Sequence, residues 1–159
     1  MGIDAANKGP LDELRTTVRT LLKQKGGEIW TIAPGASVYE AIKLMAEKRI
    51  GSVLVMDAGR LAGILSERDY ARKVVLQDKS SKSTAVREIM TAPVTTVSMD
   101  NTVSECMHMI TEQRIRHLPV MEEGKVAGIV SIGDLVNRVI NEQQQTIRHL
   151  EAYITGVAA

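Results

Sequence analysis

Seven residues of this chain occur twice in a fixed relation, as GILSERD at 63–69 and GIVSIGD at 128–134, 65 positions apart. The same step carries Val38 to Val103, Glu40 to Glu105, Arg49 to Arg114, Ile50 to Ile115, Gly59 to Gly124 and Val74 to Val139 with no insertion between. An ungapped self-match of this extent means that one structural unit is built twice. Each copy has roughly 55–60 residues, at the edge of what a single core stabilises. The copies are therefore expected to share one core as a pseudo-twofold pair, with their Ser-x-x-Asp segments symmetric about a central cleft.

Hydrophobic periodicity gives each repeat the order β-α-β-β-α, a mixed α+β fold. In the first repeat a strand is expected at 28–32 and a turn through Pro34-Gly35. A helix follows, with Ser37 as N-cap, Glu40 as its capping-box partner, and Val38, Ala41, Ile42 and Met45 at helical spacing to about Arg49. SVLVM at 52–56 and 61–65 read as two strands joined at Asp57-Ala58-Gly59-Arg60, and a helix is expected over 67–77. The second repeat copies this with strands at 94–97, 117–121 and 125–130 and a helix over 102–113. Its last helix is longer, from Asp134 to Thr155, with a stripe through Val136, Val139 or Ile140, Gln143, Ile147, Leu150 and Ile154 whose second half needs a covering surface, either the N-terminal helix or a second copy. The expected organisation is a flexible tail at 1–10, an amphipathic helix at 11–25, repeat one plus a Ser-rich linker at 26–85, repeat two at 86–142, and a helical extension with tail at 143–159.

Composition excludes several classes. With 20 Lys and Arg against 19 Asp and Glu, the net charge is +1, which argues against nucleic acid as a partner. A core with no Phe and one Trp offers few aromatic faces on which bases could stack. Apolar runs are far too short for a membrane span, and MGIDAANKGP lacks the hydrophobic centre of a signal peptide. Cys106 is the single cysteine, so an internal disulfide is impossible and a reducing, cytoplasmic setting is expected. His108, His117 and His149 lack metal-ligand spacing, Cys106 shares the Val103, Met107 and Ile110 face, and no serine stands in a nucleophile setting. The protein is accordingly expected not to be an enzyme, and to carry no metal or catalytic cofactor.

Ser-x-x-Asp at the start of an amphipathic helix is first of all a capping pattern. Other features point beyond a cap. The Asp is kept in both copies while the residues between differ, Glu67-Arg68 against Ile132-Gly133. Gly63 and Gly128 sit inside the strands leading in, where glycine weakens a strand unless a backbone or ligand comes close. Arg114, Arg116 and His117 stand at a neighbouring strand entry. An ionised carboxylate accepts both hydroxyls of a ribose, a serine beside free helix N–H groups suits an anion, and arginine offers a fork to phosphate. Together these suit an adenosine phosphate.

RIGSVLVM…GILSERDYARKV and RIRHLPVM…GIVSIGDLVNRV resemble a tandem pair of CBS domains, a Bateman module, over roughly residues 25–142. SERDYARKV, VREIMT, RIRHLPV and AYITG are similar to the small stand-alone CBS-pair proteins. The resemblance implies a sensor that binds AMP, ADP, ATP, NAD or a related adenosine ligand in the cleft between repeats and signals energy or redox state to a regulated protein. It places the family's glycine, Ser/Thr and Asp on Gly63, Ser66 and Asp69 and on Gly128, Ser131 and Asp134, with the Asp as ribose ligand. It groups Asp134 with Ile29, Trp30 and Ile50, and Asp69 with Val94, Thr95 and Ile115, while Arg116 beside His117 reaches phosphate. The positions 65 before these last two are Gly51 and Ser52, so the pockets are expected to be unequal, Arg68 compensating in part and the better phosphate site lying at Asp134 and Arg116. A homodimer is expected. The alternatives are a ligand-free protein-interaction scaffold whose motifs only cap helices, and an enzyme acting on nucleotides, which no base or metal site favours.

Overall fold

The computed structural model describes residues 15–26 and 28–156. The tail expected at 1–10 and the opening of the helix expected from residue 11 lie outside the described residues. Helix α1 is Val18–Lys25, not a helix running on from before Arg15. Thr17 holds extended backbone, pairs with Thr102 in an isolated bridge, and caps the helix with its side chain. A β-branched residue favours that conformation over a helical one, and its hydroxyl takes up the N–H of Thr20.

The remaining order is β1 (Thr31–Ile32), α2 (Val38–Lys48), β2 (Ser52–Asp57), β3 (Arg60–Ser66), α3 (Glu67–Tyr70), α4 (Val86–Ile89), β4 (Val97–Ser98), α5 (Val103–Gln113), β5 (His117–Glu122), β6 (Lys125–Ser131) and α6 (Ile132–Thr155). They make two three-stranded sheets, β1-β2-β3 and β4-β5-β6. β1 runs parallel to β2, and β2 antiparallel to β3 with Ser52 opposite Ser66. Both hairpins turn through two residues of positive φ, Ala58 (48°) and Gly59 (79°), then Glu123 (50°) and Gly124 (75°), the geometry that matches strand twist. The first strands are shorter than expected: β1 and β4 have two residues each. After Tyr70 the helix widens into a π-helical turn at Ala71–Val75 instead of continuing as α to Gln77. Val74 is thereby buried while Val75 and Leu76 stay exposed.

The chain divides into two compact units. The Asp69 unit contains residues 28–96 and 121–128; the Asp134 unit contains the described residues before 27, with 97–120 and the chain from 129. Each has its own cluster of buried side chains. In the Asp69 unit Val38, Ala41 and Met45 of α2 meet Val53 and Val55 of β2, Leu65, Val74, Val86 and Ile89. In the Asp134 unit Val18 and Leu21 of α1 meet Val103, Cys106 and Ile110 of α5, Leu118, Val120, Val130 and Leu135. The Ser37–Glu40 capping box expected for α2 is present. The linker is integral to the Asp69 unit: the first two N–H groups of α2, on Val38 and Tyr39, donate to Thr84 and Ser81 carbonyls at 2.9 Å each.

Gly63 has a packing reason. Its strand bridges to the segment after α4, with Ile64 and Thr91 exchanging backbone hydrogen bonds of 3.0 and 2.8 Å. A Cβ at Gly63 would stand 2.6 Å from Met90 Sδ and 3.1 Å from the Thr91 carbonyl oxygen. Gly63→Val is therefore expected to cost about 1–3 kcal/mol by overpacking, read as a lower urea midpoint at unchanged slope. A midpoint equal to wild type would show that the Met90 segment yields freely.

Candidate functional site

At the end of β3, Ser66 and Asp69 close a reciprocal cap: the Asp69 N–H donates to Ser66 Oγ (3.1 Å) and the Ser66 N–H to Asp69 Oδ2 (3.0 Å). Ser131 and Asp134 repeat it at the end of β6, with 3.1 and 2.8 Å. Each junction is also tied to the strand beside it, since Glu67 N–H donates to the Gly51 carbonyl (3.1 Å) and Ile132 N–H to that of Arg116 (2.8 Å). Gly51 and Arg116 thus do the same backbone work and differ only in what their side chains add. The capping function that the pattern suggests is real in both copies, and it holds each carboxylate at a helix N-terminus.

The two carboxylates differ in what neutralises them. Asp69 Oδ1 accepts from the Thr91 hydroxyl (3.2 Å) and pairs with Lys73 one turn along its own helical segment (3.1 Å). The ammonium of Lys73 also donates to the Ile89 carbonyl (3.0 Å). In the Asp134 unit the residue 65 beyond Lys73 is Arg138, which instead pairs with Glu142 and donates to Gln24 Oε1 (2.5 Å). Asp134 is met by Lys25 from the last turn of α1, Nζ to Oδ2 at 2.6 Å. That same ammonium donates to the Ile129 carbonyl at 2.8 Å, the place that the Thr91 N–H takes on Ile64 in the other unit. Both carboxylates meet a lysine ammonium; in one unit it comes from the same helical segment with Thr91 adding a hydroxyl, and in the other it comes from α1.

The surroundings of Asp134 are cationic. Burial lowers the pKa of His117, and the charges of Lys25 and Arg116 lower it further while Asp134 opposes them. Asp134 is held below its ordinary value: burial alone would raise it, but the Lys25 and Ser131 hydrogen bonds outweigh that. Asp134 and Lys25 also line a cavity of about 490 Å³ between α1 and α6, with Gln24, Asn137 and Arg138 on its walls. Lys25 is the group that sequence reading missed. It stands 109 positions from Asp134, and only its place in the last turn of an amphipathic helix marked it, there as a helix-dipole partner.

The other proposed residues have definite places. In the Asp69 unit Trp30 and Ile50 pack against the core, with the Lys48 ammonium 4.1 Å from the Trp30 ring centre. Ile29, Val94 and Thr95 are half-buried there, Ser52 is buried at 4% exposure, and Arg68 is exposed. In the Asp134 unit Ile115 packs against the core, His117 is half-buried, and Arg116 is exposed. Cys106 is wholly buried, its thiol pushed up to about 11 by burial and by Glu105, which fits a packing role. Among the described residues no helix is long and apolar enough to cross a membrane.

Comparison with known proteins gives a consistent result. The CBS domain family matches residues 26–76 and again 86–141. The mitochondrial CBS domain-containing protein CBSX3 of Arabidopsis thaliana is 39% identical over 89% of this chain and 73% of its own length. A solved CBS-domain protein from Burkholderia ambifaria, described as a signal-transduction protein, is 55% identical, covers 80% of this chain and 96% of its own, and superposes with a TM-score of 0.78. A hexameric CBS-CP12 protein from bloom-forming cyanobacteria is 28% identical over 76% of this chain and 69% of its own, with a TM-score of 0.68.

Lys25 depresses both His117 and Asp134, so Lys25→Met is expected to raise both pKa values in an NMR titration. Both folded values lie below the unfolded ones, so the unfolded chain takes up protons first as pH falls. The His117 contribution to stability is complete above its ordinary 6.5 and is lost as pH falls from there through the folded value. The Asp134 contribution is lost below 3.8 in the same sense. An unmoved His117 titration in Lys25→Met would mean that the ammonium is screened from the ring.

Proposed function

The chain belongs to the CBS domain family, among regulatory proteins of the signal-transduction kind, and we propose that it senses adenine nucleotides through Asp134. The observation that carries this reading is a carboxylate fixed by its own helix cap yet neutralised by a lysine side chain that can move. A ribose donates two hydroxyls to such a carboxylate. The Lys25 ammonium, displaced from Oδ2, then has phosphate within reach, Arg116 supplies further positive charge, and His117 offers a neutral imidazole. Asp69, closed by Thr91 and Lys73, is the weaker site in this proposal. AMP, ADP, ATP and NAD share the ribose and phosphate chemistry and are the ligand class.

Binding is proposed to shift the balance between conformations and so to act on a regulated protein, with the sensor working as a homodimer in the cytoplasm and without catalysis. Oligomeric assembly is a property of the cyanobacterial relative, whose form is hexameric. The competing reading is a ligand-free interaction scaffold. It is favoured by the completeness of both capping boxes, which explain Ser-x-x-Asp without any ligand.

Calorimetric titration separates the two. Loss of a charge-assisted ribose contact costs about 1.5–3 kcal/mol, so Asp134→Ala is expected to weaken AMP or ATP roughly 10–150-fold and Asp69→Ala less. Asn at 134 keeps a capping acceptor, so Asp134→Asn with wild-type thermal stability and lost binding isolates the ligand role. Nucleotide recovered after denaturation is expected to be chemically unchanged. Equal affinity in wild type and Asp134→Ala, or none in either, would leave the scaffold reading.

A further inference from the structure

Helix α6 has two separate apolar faces. Leu135 is wholly buried and Val139 packs against the same core, so these side chains join the helix to its own unit. A second line runs through Val136, Ile140, Gln143, Ile147, Leu150 and Ile154 at steps of 4, 3, 4, 3 and 4. Its apolar members are 39%, 44%, 54%, 57% and 80% exposed, increasingly so along the helix. Alternating steps of three and four are the seam of a left-handed coiled coil, not the wider stripe of a helix lying on a globular core.

We infer that this line is a pairing seam for the same helix of a second copy of this chain, set parallel and in register. The residues on the line choose that occupant. With Ile140, Ile147 and Ile154 in one set of core positions and Val136, Gln143 and Leu150 in the other, the seam has isoleucine at every a position and Leu150 at one d position, and β-branched residues at a favour parallel two-stranded coils. Gln143 stands in the middle of the line. Against an apolar strand its amide would be buried without a partner, which is costly. Against Gln143 of a second copy each amide has both a donor and an acceptor to meet, and only the parallel in-register arrangement places them opposite. Of the positions flanking the line from 137 to 153, only Glu151 carries a charge, so no array of like charges opposes self-pairing. The helix is already ordered on its own unit through Leu135 and Val139, so a seam of under three heptads does not have to bear the cost of forming the helix.

The inference gives a surface to the homodimer proposed above, and rests on that pairing. Full-length Gln143→Cys under mild oxidation is expected to form a disulfide-linked dimer at least ten times faster than Gln145→Cys, which lies on the opposite side of α6. Cys106, fully buried, stays out of the exchange. Ile147→Glu with Leu150→Glu alters side chains already more than half exposed, so circular dichroism is expected to stay as in wild type while sedimentation shows dimer dissociation weakened at least tenfold. A dimer whose mass ignores the double variant, or equal linking at 143 and 145, overturns the seam and leaves the homodimer standing. Dissociation by the double variant without linking at 143 overturns the parallel register. A wild-type chain that is monomeric at all concentrations overturns both.

Discussion

The reciprocal hydrogen bonding of a serine and an aspartate three residues apart is the constraint on which the rest of this structure depends. At the ends of β3 and β6 it satisfies helix N–H groups that would otherwise be orphaned, and it turns strand into helix within one residue. The backbone of Gly51 or Arg116 then closes the junction from the neighbouring strand. Because the carboxylate closes the cap, it is held in place and partly buried before any ligand is considered. A cation must stand near it, and the source of that cation is where the two copies part.

In the Asp69 unit the counter-charge comes from Lys73 on the same helical segment, and Thr91 adds a hydroxyl from a chain already paired to β3. In the Asp134 unit the residue equivalent to Lys73 is engaged with Glu142 and Gln24, and the ammonium is brought by α1. The difference is one of origin. The Ile64 carbonyl is held by a backbone N–H in a strand bridge, whereas the Ile129 carbonyl and Asp134 share one lysine head brought by another element. Two carboxylates with identical local sequence logic thus have different partners.

Much of the fold is legible in the chain because its elements are set by short-range periodicity. α2 and α5 begin at Ser37 and Thr102 and end at Arg49 and Arg114, both in the left-handed conformation, as the repeat spacing leads one to expect. Where reading fails, a longer-range partner has intervened. Thr17 leaves the helical pattern because Thr102 pairs with it; β1 and β4 are short because only two residues of each find a ladder. Gly63 reads equally as room for a ligand or for backbone, and the packing of Met90 decides it. The apolar pattern marks which residues are buried but not that they gather into two clusters.

By itself the sequence determined the duplication, the β-α-β-β-α order, the helix caps and the membership of Asp69 and Asp134 in equivalent positions, because each rests on spacings of a few residues or on one constant offset. Only the tertiary structure decided what each carboxylate touches. Lys25 and Asp134 meet across most of the chain's length, through a helix whose docking depends on Val18 and Leu21 reaching a core that the rest of their unit supplies. A pairing of that range is set by packing, and no local pattern encodes it.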